Sequence, residues 1–391
     1  MPSSFSSCPY CQSRDVVKRG RRKTKYEVRQ LFLCTHCGKT FTPQKVKGHS
    51  FPLKVILDGL SFYNTGLTLE ESCALLKERF GLVVAPSTLA DWVKEFAPLC
   101  RYARMREFGL KLFSPSQAIQ SVRLYHRQVF DFRYHRAKLA LILQDFRHKD
   151  FEPLREFLDA VAVECPHQWF TEGPRASEAK PTFDLAQVLI REKSNFANRL
   201  ADLVLQAVPD NKLRHETLQR FMLANDSVTV ACEVPVYLDA MDLEHMREEL
   251  GFQIPLELTT PAGIGARRPG STSAPPLTGH VDLVQLRNGA VHLLDYKPRA
   301  DKERPVAQLT LYALALSRLT GLRLFHMKCA WFDEQRYFEF FPLHVVLKKG
   351  RRRVTDDPAQ LKWFGPAADV APPLRAGAGA EIADHMGSGQ Q

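Results

Sequence analysis

Residues 279–299 read GHVDLVQLRNGAVHLLDYKPR, two apolar runs separated by Asn288-Gly289. Asn-Gly between such runs predicts a two-residue hairpin, because a type I′ turn needs φ > 0 at both central positions. With those two residues in the loop, Arg287 faces Ala290 and Asp282 faces Asp295. Side chains alternate along a strand, so Lys297 shares the face of Asp295, and His280, opposite Lys297, joins them.

Directly opposed side chains have Cβ atoms roughly 4.5–5.5 Å apart, where like charges destabilise a sheet. The apolar neighbours predict burial, which raises the cost of unpaired charge. A divalent cation resolves the conflict, since Mg²⁺ is held by one or two carboxylates, water and phosphate oxygens. The competing reading is an ion pair of Asp295 with Lys297, leaving Asp282 on the surface.

Three stretches in order carry a resemblance: Gly279-His280-Val281-Asp282, Asp295-Tyr296-Lys297, and Gln308-Leu309-Thr310-Leu311-Tyr312. Over residues 191–347 the chain resembles the PD-(D/E)XK nucleases, in particular their RecB-like branch. Glu233-Val234-Pro235-Val236 is similar to the first core strand of that family, and His215 sits where many relatives carry a histidine. The resemblance implies a restriction-endonuclease-like mixed sheet flanked by helices. It also implies Mg²⁺ or Mn²⁺ on Asp282 and Asp295, with His215 as a further ligand and Lys297 acting on the nucleophile and the phosphorane. Gln308 and Tyr312 would touch DNA or brace the site. Glu233 either reaches the metal through water or is structural, and His280 packs beside the site rather than ligating. Some relatives carry a four-cysteine iron–sulfur cluster; Cys165, Cys232 and Cys329 are too scattered to carry it over.

A chain of 391 residues predicts two or three domains. No stretch is long and apolar enough for a membrane span, and the first eight residues are too polar for a signal peptide, so a cytoplasmic protein is expected. Nine cysteines then point to metal or free thiols rather than disulfides. The formal net charge is +11. Residues 1–54 carry twelve basic side chains against Asp15 and Glu27, so nearly the whole excess sits there. Such a patch is a footprint for nucleic acid, and DNA is the expected partner.

Within residues 1–50, Cys8-Pro9-Tyr10-Cys11 and Cys34-Thr35-His36-Cys37 are two C-x-x-C knuckles. Together they predict a closed structural Zn²⁺ site, with His36 a bystander. A redox dithiol would not need two pairs. Lys18, Arg19, Arg21, Arg22, Lys23 and Lys25 fall on a basic hairpin between the knuckles, placed to contact DNA. Residues 51–97 predict three helices. The first covers 51–63, and the second starts at the capping box Thr68-Leu69-Glu70-Glu71 and ends at Gly81. The third runs to Phe96 with Ser87 as N-cap. This suits a helix-turn-helix with Thr88, Leu89, Asp91 and Lys94 toward the groove, although any small three-helix unit looks alike. Zinc ribbon followed by helix-turn-helix resembles the N-terminal half of insertion-sequence transposases. The acidic triad expected next in such enzymes is missing.

Residues 98–190 read as a helical connector and linker. Residues 121–162 are expected to be helical, with basic and aromatic side chains either contacting nucleic acid or bridging domains. Cys165 and His167 form no cluster in the sequence. Residues 191–347 are the nuclease region, with helices over 186–208, 215–224 and 306–320. Its strands are expected over 228–238, the hairpin, 322–332 and 337–347, and an insertion over 239–276. Residues 348–391 are expected to be a disordered tail. Two functions remain open at this stage. One is a metal-dependent DNA nuclease aimed by its N-terminal head, in mobile elements, repair or defence. The other is a non-catalytic DNA-binding protein using the nuclease fold as scaffold.

Overall fold

The computed structural model describes residues 8–42, 49–183, 185, 188–208, 210–255 and 276–347. Most of the expected insertion, residues 256–275, and the expected tail, 348–391, lie outside the described residues, as do positions 43–48.

Strands β1 (Val16–Lys23), β2 (Val28–Cys34) and β3 (Thr40–Phe41) form a three-stranded antiparallel sheet. Its core is Phe32, Phe41, Cys8 and Cys34. So few apolar groups do not hold a fold of this size alone, which is the usual setting for a structural metal.

Helices α1 (Leu53–Asn64), α2 (Leu69–Phe80) and α3 (Pro86–Phe96) follow. Thr68 Oγ1 accepts from the Glu71 amide and the Glu71 carboxylate accepts from the Thr68 amide, the expected capping box. Gly81, at φ 66°, closes α2. The start of α3 departs from expectation. Ala85 is its N-cap and Pro86 its first residue, so Ser87 lies inside the helix. Proline's fixed φ and missing donor suit that first position. Leu89 also departs from the groove-facing set. It is fully buried on one stripe with Trp92 and Phe96.

The connector is α4 (Arg106–Leu112), α5 (Pro115–Ala118), β4 (Ile119–His126), β5 (Gln128–His135), α6 (Arg136–Leu143), α7 (Glu152–Glu164) and α8 (His167–Glu172). The helical reading of its first part is therefore wrong. Residues 119–135 are an antiparallel hairpin turned at Arg127, at φ 58°. The governing period is two: Leu124, His126, Phe132 and Tyr134 are buried while Arg123, Tyr125 and Val129 are exposed.

The remaining elements are β6 (Arg191–Lys193), α9 (Phe196–Leu205), α10 (Arg214–Asn225), β7 (Thr229–Leu238), α11 (Ala240–His245), β8 (Leu277–Arg287), β9 (Ala290–Tyr296), α12 (Val306–Thr320), β10 (Met327–Phe332), β11 (Tyr337–Phe340) and α13 (Leu343–Val346). The helix expected over 186–208 starts only at Phe196, after β6. The strand expected over 337–347 stops at Phe340, because Pro342 lacks the donor a ladder needs. All eight strands from β4 onward share one sheet, in the order β4-β5-β7-β8-β9-β10-β11-β6. Neighbours are antiparallel except β9 and β10, which α12 joins as a crossover.

One core contains Val284 and Leu293 with Leu309 and Leu316 of α12. The other contains Leu283 and Leu294 with Leu200 of α9 and Phe221 of α10. The three-helix head belongs to this second core, through Leu53, Ile56, Leu60 and Trp92. Buried polar contacts fix the join. Asn64 Nδ2 donates to Asn225 Oδ1 at 2.7 Å, and Asn225 Nδ2 to Ser61 Oγ at 2.9 Å. The three-stranded sheet meets the head where Tyr26 stacks on Phe51 at 4.6 Å.

Candidate active site

Asn288 and Gly289 adopt φ 52° and 68°, as the hairpin turn requires. The β8–β9 ladder runs from Arg287↔Ala290 to Leu283↔Leu294, and one further step sets Asp282 against Asp295. On the other side of β8, Cys232↔Leu283 and Val234↔Val281 bracket Glu233 opposite Asp282. Glu233, Asp282 and Asp295 thus form a row across three adjacent strands.

The row is electrostatically tense. Burial, then the Asp282 charge, pushes Asp295 well above the usual carboxylate range. Burial pushes Asp282 up too, but hydrogen bonding to His215 and to Asp295 outweighs it and holds Asp282 low. The two carboxyls face each other, so charge on one raises the cost of charge on the other. Burial and the Asp282 charge raise Glu233 to about 8. Gln219 Nε2 of α10 donates to Glu233 Oε1 at 2.7 Å. Glu233 also has φ 51°, inside a strand, where a residue with a Cβ is strained by roughly 1–3 kcal/mol.

Lys297 Nζ lies 2.9 Å from Asp295 Oδ2. Burial lowers Lys297, but the Asp295 carboxylate more than compensates, so the ammonium persists. The expected ion pair and the expected carboxylate pair are thus both present. His215, on the first turn of α10, puts Nδ1 3.5 Å from Asp282 Oδ2. Gln308 Nε2 donates to the Tyr312 hydroxyl at 2.8 Å. Tyr312 packs over Gly279 so closely that a Cβ there would fall 2.2 Å from its ring.

His280 departs from the register argument. Beyond Asp295 the hairpin opens: the Lys297 amide donates to the Phe332 carbonyl on β10, while His280 pairs with Pro235 on β7. The His280 ring stacks on Phe130 at 3.7 Å and meets His126, with Nε2 2.9 Å from His126 Nδ1. Sequence reasoning missed Gln219, which carries no spacing signal. It also missed a His126–Cys165–His167 group, whose ligating atoms lie within 4.8 Å of one another, contrary to the expectation that Cys165 and His167 join no cluster.

At the other end of the chain, Cys8, Cys11, Cys34 and Cys37 come together. Cys8 Sγ is 3.7 Å from Cys37 Sγ, and Cys11 Sγ 3.5 Å from Cys34 Sγ. Four thiolates around a zinc with bonds of about 2.3 Å lie about 3.7 Å apart, so the group is compatible with zinc. His36 is exposed and outside it. Lys18, Arg19, Arg21, Arg22, Lys23 and Lys25 are all exposed on β1 and its turn. On α3, Lys94 is exposed and Thr88 half-buried.

Among the described residues no helix is long and apolar enough to cross a membrane. No curated protein and no solved structure matches the chain. A family model does match, and members of that family are typically metal-dependent nucleases. The matched stretch excludes the N-terminal three-stranded sheet, the three-helix head and the β4–β5 hairpin. It is residues 163–342, which match the PD-(D/E)XK nuclease superfamily, and the mixed eight-stranded sheet with its flanking helices fits that fold.

Proposed function

We propose that the chain is a Mg²⁺- or Mn²⁺-dependent deoxyribonuclease of the RecB-like branch. In this reading a transposase-type zinc ribbon and helix-turn-helix bring it to DNA. The observation that carries the reading is the opposed pair Asp282–Asp295, with Lys297 Nζ 2.9 Å from Asp295. Two carboxyls opposed across neighbouring strands are a costly arrangement for structure alone, and hard oxygen donors suit a hard divalent cation. The cation, when bound, supplies a water of lowered pKa and positive charge beside the scissile phosphate.

The chain's own residues do the rest. Asp282 and Asp295 would hold the cation, with His215 of α10 as a further ligand. Lys297 Nζ orients the attacking water and offsets the charge that grows on the phosphorane oxygens. Glu233, oriented by Gln219, would accept a hydrogen bond from a water held beside the cation. Gln308 and Tyr312 brace the floor of the site, where Gly279 leaves room for the tyrosine ring. The exposed basic side chains of β1, with Lys94 and Thr88 of α3, contact DNA.

The test is purified full-length protein on linear and circular, single- and double-stranded DNA, with Mg²⁺, Mn²⁺ or neither. The expected result is metal-dependent cleavage that Asp295→Asn abolishes without loss of folding, since Asn keeps the shape of Asp and removes the charge opposed to Asp282. Full cleavage by Asp295→Asn refutes the site. DNA binding without cleavage under every condition favours the scaffold reading instead.

A further inference from the structure

His126 ends β4, Cys165 follows the last residue of α7, and His167 opens α8. One ligating atom from each lies within 4.8 Å of the other two. Two imidazoles and a thiol are the donor set of a borderline ion such as Zn²⁺, and a poor one for Mg²⁺. None of the three belongs to the nuclease site or to the four-cysteine group.

The contacts among the rings suit one ligating tautomer. His126 Nδ1 is 2.9 Å from His280 Nε2, and His126 Nε2 is 2.9 Å from His167 Nδ1. A neutral imidazole carries one N–H. When His126 Nδ1 donates to His280, its Nε2 presents a bare lone pair toward His167 Nδ1 and the Cys165 thiol. That is the arrangement of a ligating histidine whose second nitrogen is anchored by an outer partner. His280 is that partner, itself held flat against Phe130.

The surroundings hold the three groups in place. Arg127, in the left-handed region, donates to the carbonyls of Thr171 and Gly173 and so ties the β4–β5 turn to α8. Phe170 stacks on His126 at 4.1 Å. His126 is buried while His167 is exposed, so the group is closed on the sheet side and open to solvent on the other.

We propose that His126, Cys165 and His167 form a second metal site, for a zinc-class divalent ion. Three protein ligands hold the ion, the fourth position is open to water, and His280 positions His126. The proposal does not depend on the nuclease reading. Its structural effect is to pin the β4–β5 hairpin and α8 to β8, two residues before Asp282.

The experiment uses the full chain loaded with Zn²⁺, freed of excess ion and measured for zinc content, with a parallel Co²⁺-substituted sample. Wild type is expected to hold about two zincs per chain, one in each of the two groups. His167→Gln, at an exposed position that keeps the fold, is expected to hold about one. Cys165→Ala should lower the thiolate-to-cobalt absorption by about one part in five, four thiolates remaining in the other group. A wild-type content of one zinc, removed by Cys34→Ser with Cys37→Ser, overturns the proposal. A second zinc that survives His167→Gln combined with Cys165→Ala overturns it equally.

Discussion

Glu233→Gln isolates the electrostatic tension of the carboxyl row. In the folded, metal-free protein Glu233 titrates at about 8, against 4.5 for a free glutamate. A carboxyl with a raised folded pKa binds more protons folded than unfolded between those values. Stability therefore falls as pH rises from about 4.5, and the full loss is reached above about 8. At about 1.36 kcal/mol per pH unit, the displacement corresponds to at most about 5 kcal/mol. Gln cannot ionise, yet its carbonyl can still accept the 2.7 Å hydrogen bond from Gln219. Urea denaturation without Mg²⁺ or Mn²⁺ at pH 5.5, 7 and 8.5 measures the effect. Wild type should lose several kcal/mol more than Glu233→Gln across that range, and added Mn²⁺ should shrink the difference by neutralising the row. Parallel losses in the two proteins would show that Glu233 is already ionised at pH 7, and the reasoning from burial and the Asp282 charge would fail.

Three further outcomes are expected. Lys297→Ala should lower cleavage about 10²–10³-fold with a smaller loss of Mn²⁺ affinity, because Lys297 acts on the nucleophile and the phosphorane rather than on the ion; single-turnover rates and Mn²⁺ titration separate the two. Cys34→Ser with Cys37→Ser should release the zinc of the four-cysteine group and unfold the three-stranded sheet, read by metal analysis and by proteolysis within residues 8–42. Replacing Arg21, Arg22 and Lys23 together with Ala should weaken duplex binding and flatten the log–log salt dependence by up to about 2.7, at about 0.9 for each phosphate no longer neutralised. An unchanged slope would move the DNA-binding surface elsewhere.

The hairpin is legible in the sequence because its turn chemistry is local. Asn288-Gly289 fixes the turn, the turn fixes the register, and the register sets Asp282 against Asp295. The capping box at Thr68 and the cysteine knuckles are readable for the same reason. What fails depends on distant partners. Residues 119–135 carry enough Arg, His and Tyr to resemble a polar helix, and their hairpin joins the main sheet through β7, about a hundred residues on. Extending the hairpin register misplaces His280, because β10 and β7 interrupt that register. Glu233 looks like an ordinary strand residue because a left-handed backbone at a glutamate has no sequence signature. Cys165 and His167 need His126 from another element before they form a group.

The seam between the three-helix head and the sheet bears on how such a chain can change over time. Leu53, Ile56, Leu60 and Trp92 of the head share a core with Leu283, Leu294 and Tyr296 of the hairpin strands. A fragment ending near residue 97 would expose that apolar surface to water and leave the buried Asn64 without Asn225. Heating should accordingly melt head and sheet together, as one calorimetric transition rather than two. The same seam obstructs modular exchange. A different head grafted onto this sheet would have to reproduce the shape of α10 and the amide pairing at its end. Substitutions in the two parts are therefore expected to be coupled, each tolerated only in the company of the other.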